Sequence, residues 1–191
     1  MRVLVACEES GVVRDAFRRL GHEAVACDTS TDPDNRADYR TDVLELLGSG
    51  FDLMVAHPPC TYLTVAGNRW YADRPDLIEE AATFFMALWN APIEKVCIEN
   101  PVGRMSTIFR PPDQYIQPYQ FGHSASKKTG LWLRGLPKLV PTQLVFPSAN
   151  GYYDNQTPSG QNKLGPSPER AKLRARTYPG IAAAMAEQWG A

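Results

Sequence analysis

The chain has 191 residues and a mass of 21.2 kDa, with 43% hydrophobic residues, 21% charged residues and a net charge of −1. This is ordinary globular composition at the size of one domain that buries roughly 70% of its unfolded surface, and it excludes disordered and fibrous chains. No stretch reaches the ~20 consecutive apolar residues of a membrane span. The opening residues, MRVLVACEES, soon turn acidic and read as a strand, not as a signal peptide. The four cysteines (Cys7, Cys27, Cys60 and Cys97) form no CxxC pair, which argues against a zinc site and a disulfide framework. A cytoplasmic protein with reduced thiols and no metal is expected. The near-zero charge hides a division. Residues 1–100 hold 9 Lys and Arg against 17 Asp and Glu, and residues 101–191 hold 11 against 4. Either the C-terminal half meets an anionic partner or the two halves pair in the fold.

In chain order, Met1–Cys7 reads as a strand, and Val12–Leu20 as a helix with Val12, Val13, Ala16, Phe17 and Leu20 on one stripe. Ser10 is its candidate N-cap and Gly21 its candidate C′ residue. Glu23–Cys27 is a second strand ending at Asp28, followed by a polar loop and a short helix around Val43–Leu47. Phe51–Ala56 is a buried strand that runs into His57-Pro58-Pro59-Cys60. Asp76–Trp89 is a helix, and Lys95–Ile98 a strand ending at Glu99-Asn100-Pro101. Beyond it, Tyr115–Phe121 and Gly130–Leu133 read as two strands, possible partners in a hairpin. Leu139–Gly165, rich in Pro, Gly, Asn and Gln, reads as a long functional loop or flexible insertion. A basic helix over Ser167–Thr177 and an amphipathic one over Pro179–Trp189 close the chain. The whole, residues 1–191, reads as a single domain.

Strands alternating with helices imply an α/β fold, a mostly parallel sheet with helices on both faces. Ligands in such folds bind beyond the carboxyl ends of the strands. There the sequence places Glu8–Gly11, Asp28, Pro58–Cys60 and Glu99. Cys60 lies outside a strand, where a thiol near the start of the next element can have a lowered pKa and act as a nucleophile. A buried Glu99 must be paired, hydrogen-bonded or protonated; the alternatives are a cap for a helix around Met105–Phe109 or a pair with Arg104. Asp28 stands where an acid accepts hydrogen bonds from a ribose diol. The Glu8-Glu9-Ser10-Gly11 turn, with one glycine, disfavours a phosphate but tolerates a cationic ligand such as a sulfonium.

The run Asp52 to Gly67, DLMVAHPPCTYLTVAG, resembles the nucleophile motif of the DNA cytosine-5 methyltransferases, and Ile98–Gly103 (IENPVG) resembles their Glu-Asn-Val motif. Asp28 and Asp42 follow the order of that family's cofactor elements, Tyr119–Gly122 looks like its Tyr-Gly stretch, and Pro179–Gly190 is loosely similar to its last helix. The chain looks like the small single-domain members found in phages and prophages. The resemblance implies a Rossmann-like fold and S-adenosylmethionine as cofactor, in a bacterial or phage-infected cell. It implies that Cys60 attacks C6 of a cytosine in DNA while Glu99 hydrogen-bonds or protonates N3. Asp28 would hold the ribose, Asp42 the adenine amino group, and Glu8, Ser10 and Gly11 the methionine end. Pro58 and Pro59 would lie between cofactor and base, and Asn100, Lys127 and Lys128 on the substrate side. Arg69 and Trp70 fall in the family's closing loop, and the basic helix offers Arg170, Lys172, Arg174 and Arg176 to phosphates.

The chain also departs from that pattern. Ala6–Gly11 lacks the family's aromatic and most of its glycines, and His123–Thr129 replaces the basic motif. About 30 residues stand where a target-recognition domain would be. Duplex DNA, single-stranded DNA, RNA or a free pyrimidine nucleotide therefore stay open as substrates, as do a protein partner that supplies specificity and a catalytically silent nucleic-acid-binding or decoy role.

Overall fold

The computed structural model describes residues 1–65, 71, 73–165, 167 and 169–191. Six strands form one sheet: β1 (Arg2–Ala6), β2 (Glu23–Cys27), β3 (Leu53–Ala56), β4 (Lys95–Pro101), β5 (Gln114–Ile116) and β6 (Thr129–Arg134). Their order is β2-β1-β3-β4-β6-β5. The pairs β1–β2, β1–β3 and β3–β4 are parallel, while β6 runs antiparallel to β4 and β5. β3 and, after Arg2, β1 are apolar because both faces of the sheet are covered. Val3 and Val5 point to one side, against α1 (Val12–Arg19) and the last helix, Pro179–Trp189. Leu4, Ala6, Met54 and Ala56 point to the other, against α2 (Pro75–Trp89). Two short helices, α3 (Met105–Ile108) and α4 (Glu169–Ala175), lead to the last one, α5. Among the described residues no helix is long and apolar enough to cross a membrane.

Several boundaries differ from the sequence reading. β4 continues past Ile98 to Pro101 because β6 pairs with it throughout, in the register Glu99↔Leu131, Asn100↔Gly130 and Pro101↔Thr129. Glu99 therefore lies inside a strand, not beyond one. The run 115–121 is a strand only to Ile116; Pro118, which has no N–H for a ladder, opens a 3-10 turn instead. The Val43 region is likewise a single 3-10 turn. Residues 139–165 form no strand or helix, yet their course is pinned. Asn155 accepts from the Ser126 amide and donates to its carbonyl, both at 2.9 Å, and the Val145 amide donates to Tyr119. Arg69 and Trp70, with Ala66, Gly67 and Pro168 of the quoted motifs, lie outside the described residues.

Candidate active site at the carboxyl edge of the sheet

The parallel strands β1, β2 and β3 end along one edge, and the turn after each carries a candidate residue. After β1, Cys7 adopts φ 57°, a left-handed conformation rare for a side-chain-bearing residue, which turns the chain sharply toward α1. The helix begins at Val12 with Gly11 as its N-cap, and Ser10 stands one residue before the cap, its hydroxyl accepting from the Val12 amide at 3.4 Å. The expected Ser10 cap is replaced by Glu8. The amides of Val13 and Arg14 donate to its carboxylate at 2.7 and 3.2 Å, and the Ser10 hydroxyl donates to it at 3.3 Å. Two carboxylate oxygens reach two amides and complement the helix dipole, which one hydroxyl cannot do. Glu8 thus fills the anion position at a helix N-terminus that a phosphate-binding fold leaves open.

Beside this turn stand Asp28, after β2, and Asp42, which caps the 3-10 turn by accepting from Leu44. Asp28 Oδ1 accepts from the Ser30 amide at 2.7 Å. Burial pushes the Cys7 thiol up to about 12, and the charges of Asp28 and Asp42 push the same way. Two acids, one turn and a self-satisfied helix end suit a ligand that offers hydroxyls, an amine and positive charge.

After β3 the chain runs His57-Pro58-Pro59-Cys60. The Cys60 carbonyl accepts from Leu63 and Thr64, starting a turn that docks on the segment after β4. There the Arg104 amide donates to Leu63 at 2.7 Å and Val65 to Val102 at 3.2 Å. This close contact requires Gly103, since a Cβ there would lie 2.0 Å from the Leu63 carbonyl oxygen. Asn100, 1% exposed, donates to the Pro58 carbonyl at 3.2 Å and ties the proline turn to β4.

The register of β3 and β4, Ala56↔Ile98, carried one residue further sets His57 beside Glu99. His57 Nδ1 lies 2.8 Å from Glu99 Oε2, with side chains 10% and 14% exposed. Because β6 is antiparallel, Thr129 comes to the same face and is among the groups that act on Glu99. Burial works to raise the Glu99 pKa, but Lys127, His57 and Thr129 outweigh it and hold it down at about 2. The carboxylate is neither the cap of α3 nor a partner of Arg104. The Cys60 thiol is raised, not lowered as the sequence suggested: burial and the charge of Glu99 prevail over Lys127 and Arg174.

The structure thus gathers Cys60, Glu99, Asn100, Pro58 and Lys127 in one place, together with His57 and with Arg174 of the basic helix, and adds Thr129. Pro59 is exposed on the turn. Lys128 departs from the group, its Nζ lying 4.4 Å from the centre of the Tyr115 ring. Nothing in the local sequence marks Thr129; only the antiparallel register reveals it. Among the described residues no group of three or more His, Cys, Asp or Glu could hold a metal ion.

No protein-family model matches the chain, and no curated protein matches it significantly. Solved structures do resemble it. The Entamoeba histolytica methyltransferase EhMeth is 12% identical with a TM-score of 0.55, the match covering 76% of this chain and 57% of that one. A Spodoptera frugiperda DNMT2 variant is 15% identical with a TM-score of 0.52, covering 78% and 58%. The chain therefore spans somewhat more than half the length of these neighbours. The shared feature at such identities is the fold, a Rossmann-like fold of the kind used by S-adenosylmethionine-dependent methyltransferases.

Proposed function

We propose that the protein is an S-adenosylmethionine-dependent methyltransferase that modifies C5 of cytosine in DNA through a covalent bond to Cys60. The observation that carries this reading is the meeting of Cys60, on its proline turn, with a buried, ionised Glu99 and with Lys127, all at the carboxyl edge of a methyltransferase-type fold. Asp28 and Asp42 are the acceptors for the cofactor's ribose and amino group, and the Cys7–Gly11 turn borders its methionine end. When bound, S-adenosylmethionine supplies an electrophilic methyl group.

The chain's own residues prepare the base. Cys60 must lose its proton before its sulfur can bond to C6, because its surroundings favour the thiol. Lys127 acts on both reacting groups, lowering the Cys60 thiol and keeping Glu99 charged. Glu99, ionised at rest, takes up the proton released by Cys60 and donates it to N3 as the C6–S bond forms, which neutralises the charge developing there, and it recovers that proton when the bond breaks. Loss of the C5 proton and breakage of the C6–S bond restore the ring and release Cys60. A base in a duplex must first leave the stack, since the thiol lies on a turn fixed to the sheet.

The test is transfer of radiolabel from S-adenosylmethionine to duplex DNA, single-stranded DNA, RNA and dCMP, with Cys60→Ala as control. Label in DNA that disappears in Cys60→Ala is the expected result. Label confined to RNA or dCMP moves the substrate to that class. Label that survives Cys60→Ala overturns the covalent step, and no label in any substrate favours the silent binding role.

A further inference from the structure

We propose that His57 is a positioning residue, which fixes the Glu99 carboxylate in a single orientation and charge state by donating its Nδ1 proton to Oε2. The inference rests on the reading of the site given above and deepens it, because it concerns how Glu99 is made ready for the base.

The geometry forces one tautomer. Glu99 is ionised and can only accept hydrogen bonds, so the nitrogen 2.8 Å from Oε2 must carry the proton. The other tautomer would set the Nδ1 lone pair against a carboxylate oxygen. It would also place an N–H at Nε2, which is buried with no hydrogen-bond partner among the described residues. Nε2 stays without a partner in either tautomer, so the contact with the carboxylate decides, and the ring rests with its proton on Nδ1. The groups that face Glu99 are Lys127 and Thr129 from the β6 side, His57 from the end of β3, Cys60 from the turn, and Tyr178, which opens α5 and lines the same small cavity; Cys97 stands two residues back on β4. Lys127 supplies charge without direction, because an ammonium on a flexible stem is a mobile point charge. The imidazole is carried by a backbone held through the sheet and by the two prolines that follow, so it supplies direction.

Loss of His57 therefore has two consequences. Glu99 gains rotational freedom, and displacement of about 1 Å at a reacting group can cost on the order of 100-fold in rate. Burial also regains influence over its protonation, so the carboxyl takes up a proton at higher pH.

The experiment compares wild type with His57→Ala, His57→Asn and His57→Gln. The Asn amide can place a donor near the Nδ1 position, whereas Gln places it too far along the side chain. Two measurements are made: methyl transfer to DNA against pH, and titration of the Glu99 carboxyl by 13C NMR. In His57→Ala, kcat should fall about 100-fold with little change in KM. The acid limb of the rate and the Glu99 titration should both move to higher pH. His57→Asn should restore both, and His57→Gln should not. Imidazole 15N NMR should find the His57 proton on Nδ1 in wild type and on Nε2 in Glu99→Ala. A wild-type proton on Nε2, or a Glu99 titration unchanged in a folded His57→Ala protein, overturns the inference. Because the NMR readings need no turnover, they decide it even if wild type transfers no methyl, a result that would count against the proposed function alone.

Discussion

Cys60 and Glu99 are neighbours with opposed requirements: a thiolate is easier to form without a negative charge beside it, yet the site keeps Glu99 ionised. Lys127 is the side chain that relieves both, being a cause of lowering at each. Alkylation of Cys60 by iodoacetamide should therefore be slow at pH 7 and quicken as pH rises. In Lys127→Ala it should be slower still, read as the rate of mass-labelled peptide formation. Glu99 should also make the fold acid-sensitive. Its pKa is about 2 when folded and roughly 4.3 when unfolded. Its stabilisation is therefore complete above the unfolded value and is lost as pH falls toward 2, on the order of 3 kcal/mol in all. In urea titrations, wild type should lose its advantage over Glu99→Gln between about pH 5 and pH 2. Cys60 was legible as a candidate because Pro58-Pro59 set it apart from the strand. The direction of its thiol shift was not, because that depends on Glu99, Lys127 and Arg174, which lie far away in the chain.

The elements of the site are assembled by two kinds of contact. Parallel register brings His57 to Glu99, and antiparallel register brings Thr129 and the preceding Lys127 to the same carboxylate. The sequence showed where strands lie but not that β6 extends β4 to Pro101, since pairing is a property of two segments and each looks ordinary alone. The second contact is the clasp between the Cys60–Thr64 turn and Gly103. Gly103→Ala should push these segments apart, costing about 2 kcal/mol or more through a Cβ that meets backbone. The expected reading is a lower urea midpoint together with weaker Cys60-dependent activity. An unchanged midpoint would show that the clasp yields easily. Residues 139–165 teach a related lesson. Their composition suggested a loop, and they are one, but Asn155 and the Val145 amide fix its path against 119–126.

At the scale of the molecule, the charge division is only partly neutralised within the fold. Lys172 of α4 meets Glu9, Asp32 and Asp34 of the acidic half at 3.3, 2.9 and 3.3 Å. Other ion pairs among the described residues, such as Arg14–Asp38, Arg18–Asp38 and Arg110–Asp113, join groups within one half. Arg174 and Arg176 belong to the other side of this account: Arg174 acts on Cys60, and the Arg176 carbonyl lies 3.5 Å from Lys127 Nζ. Both sides of the division thus have a use, one tying α4 to the acidic loops and one leaving positive charge near the nucleophile. If this surface meets phosphates, DNA affinity should fall as salt rises. Arg174→Ala with Arg176→Ala should reduce the slope of log K against log salt by about 2. An unchanged slope would move the phosphate contacts elsewhere.

The sequence by itself determined the layered α/β class, the span of β2 and of the last helix, the position of the nucleophile candidate and the acidic residue that faces it. These follow from local facts: apolar periodicity, proline's fixed φ and the reluctance of a carboxylate to be buried alone. Only the tertiary structure decided that Glu8 satisfies a helix end, that Glu99 is held charged by His57, Thr129 and Lys127, and that Lys128 turns away to Tyr115. Each of those outcomes depends on distances between residues remote in the chain. Burial and Coulomb energy are set by those distances, and the order of residues along the chain does not contain them.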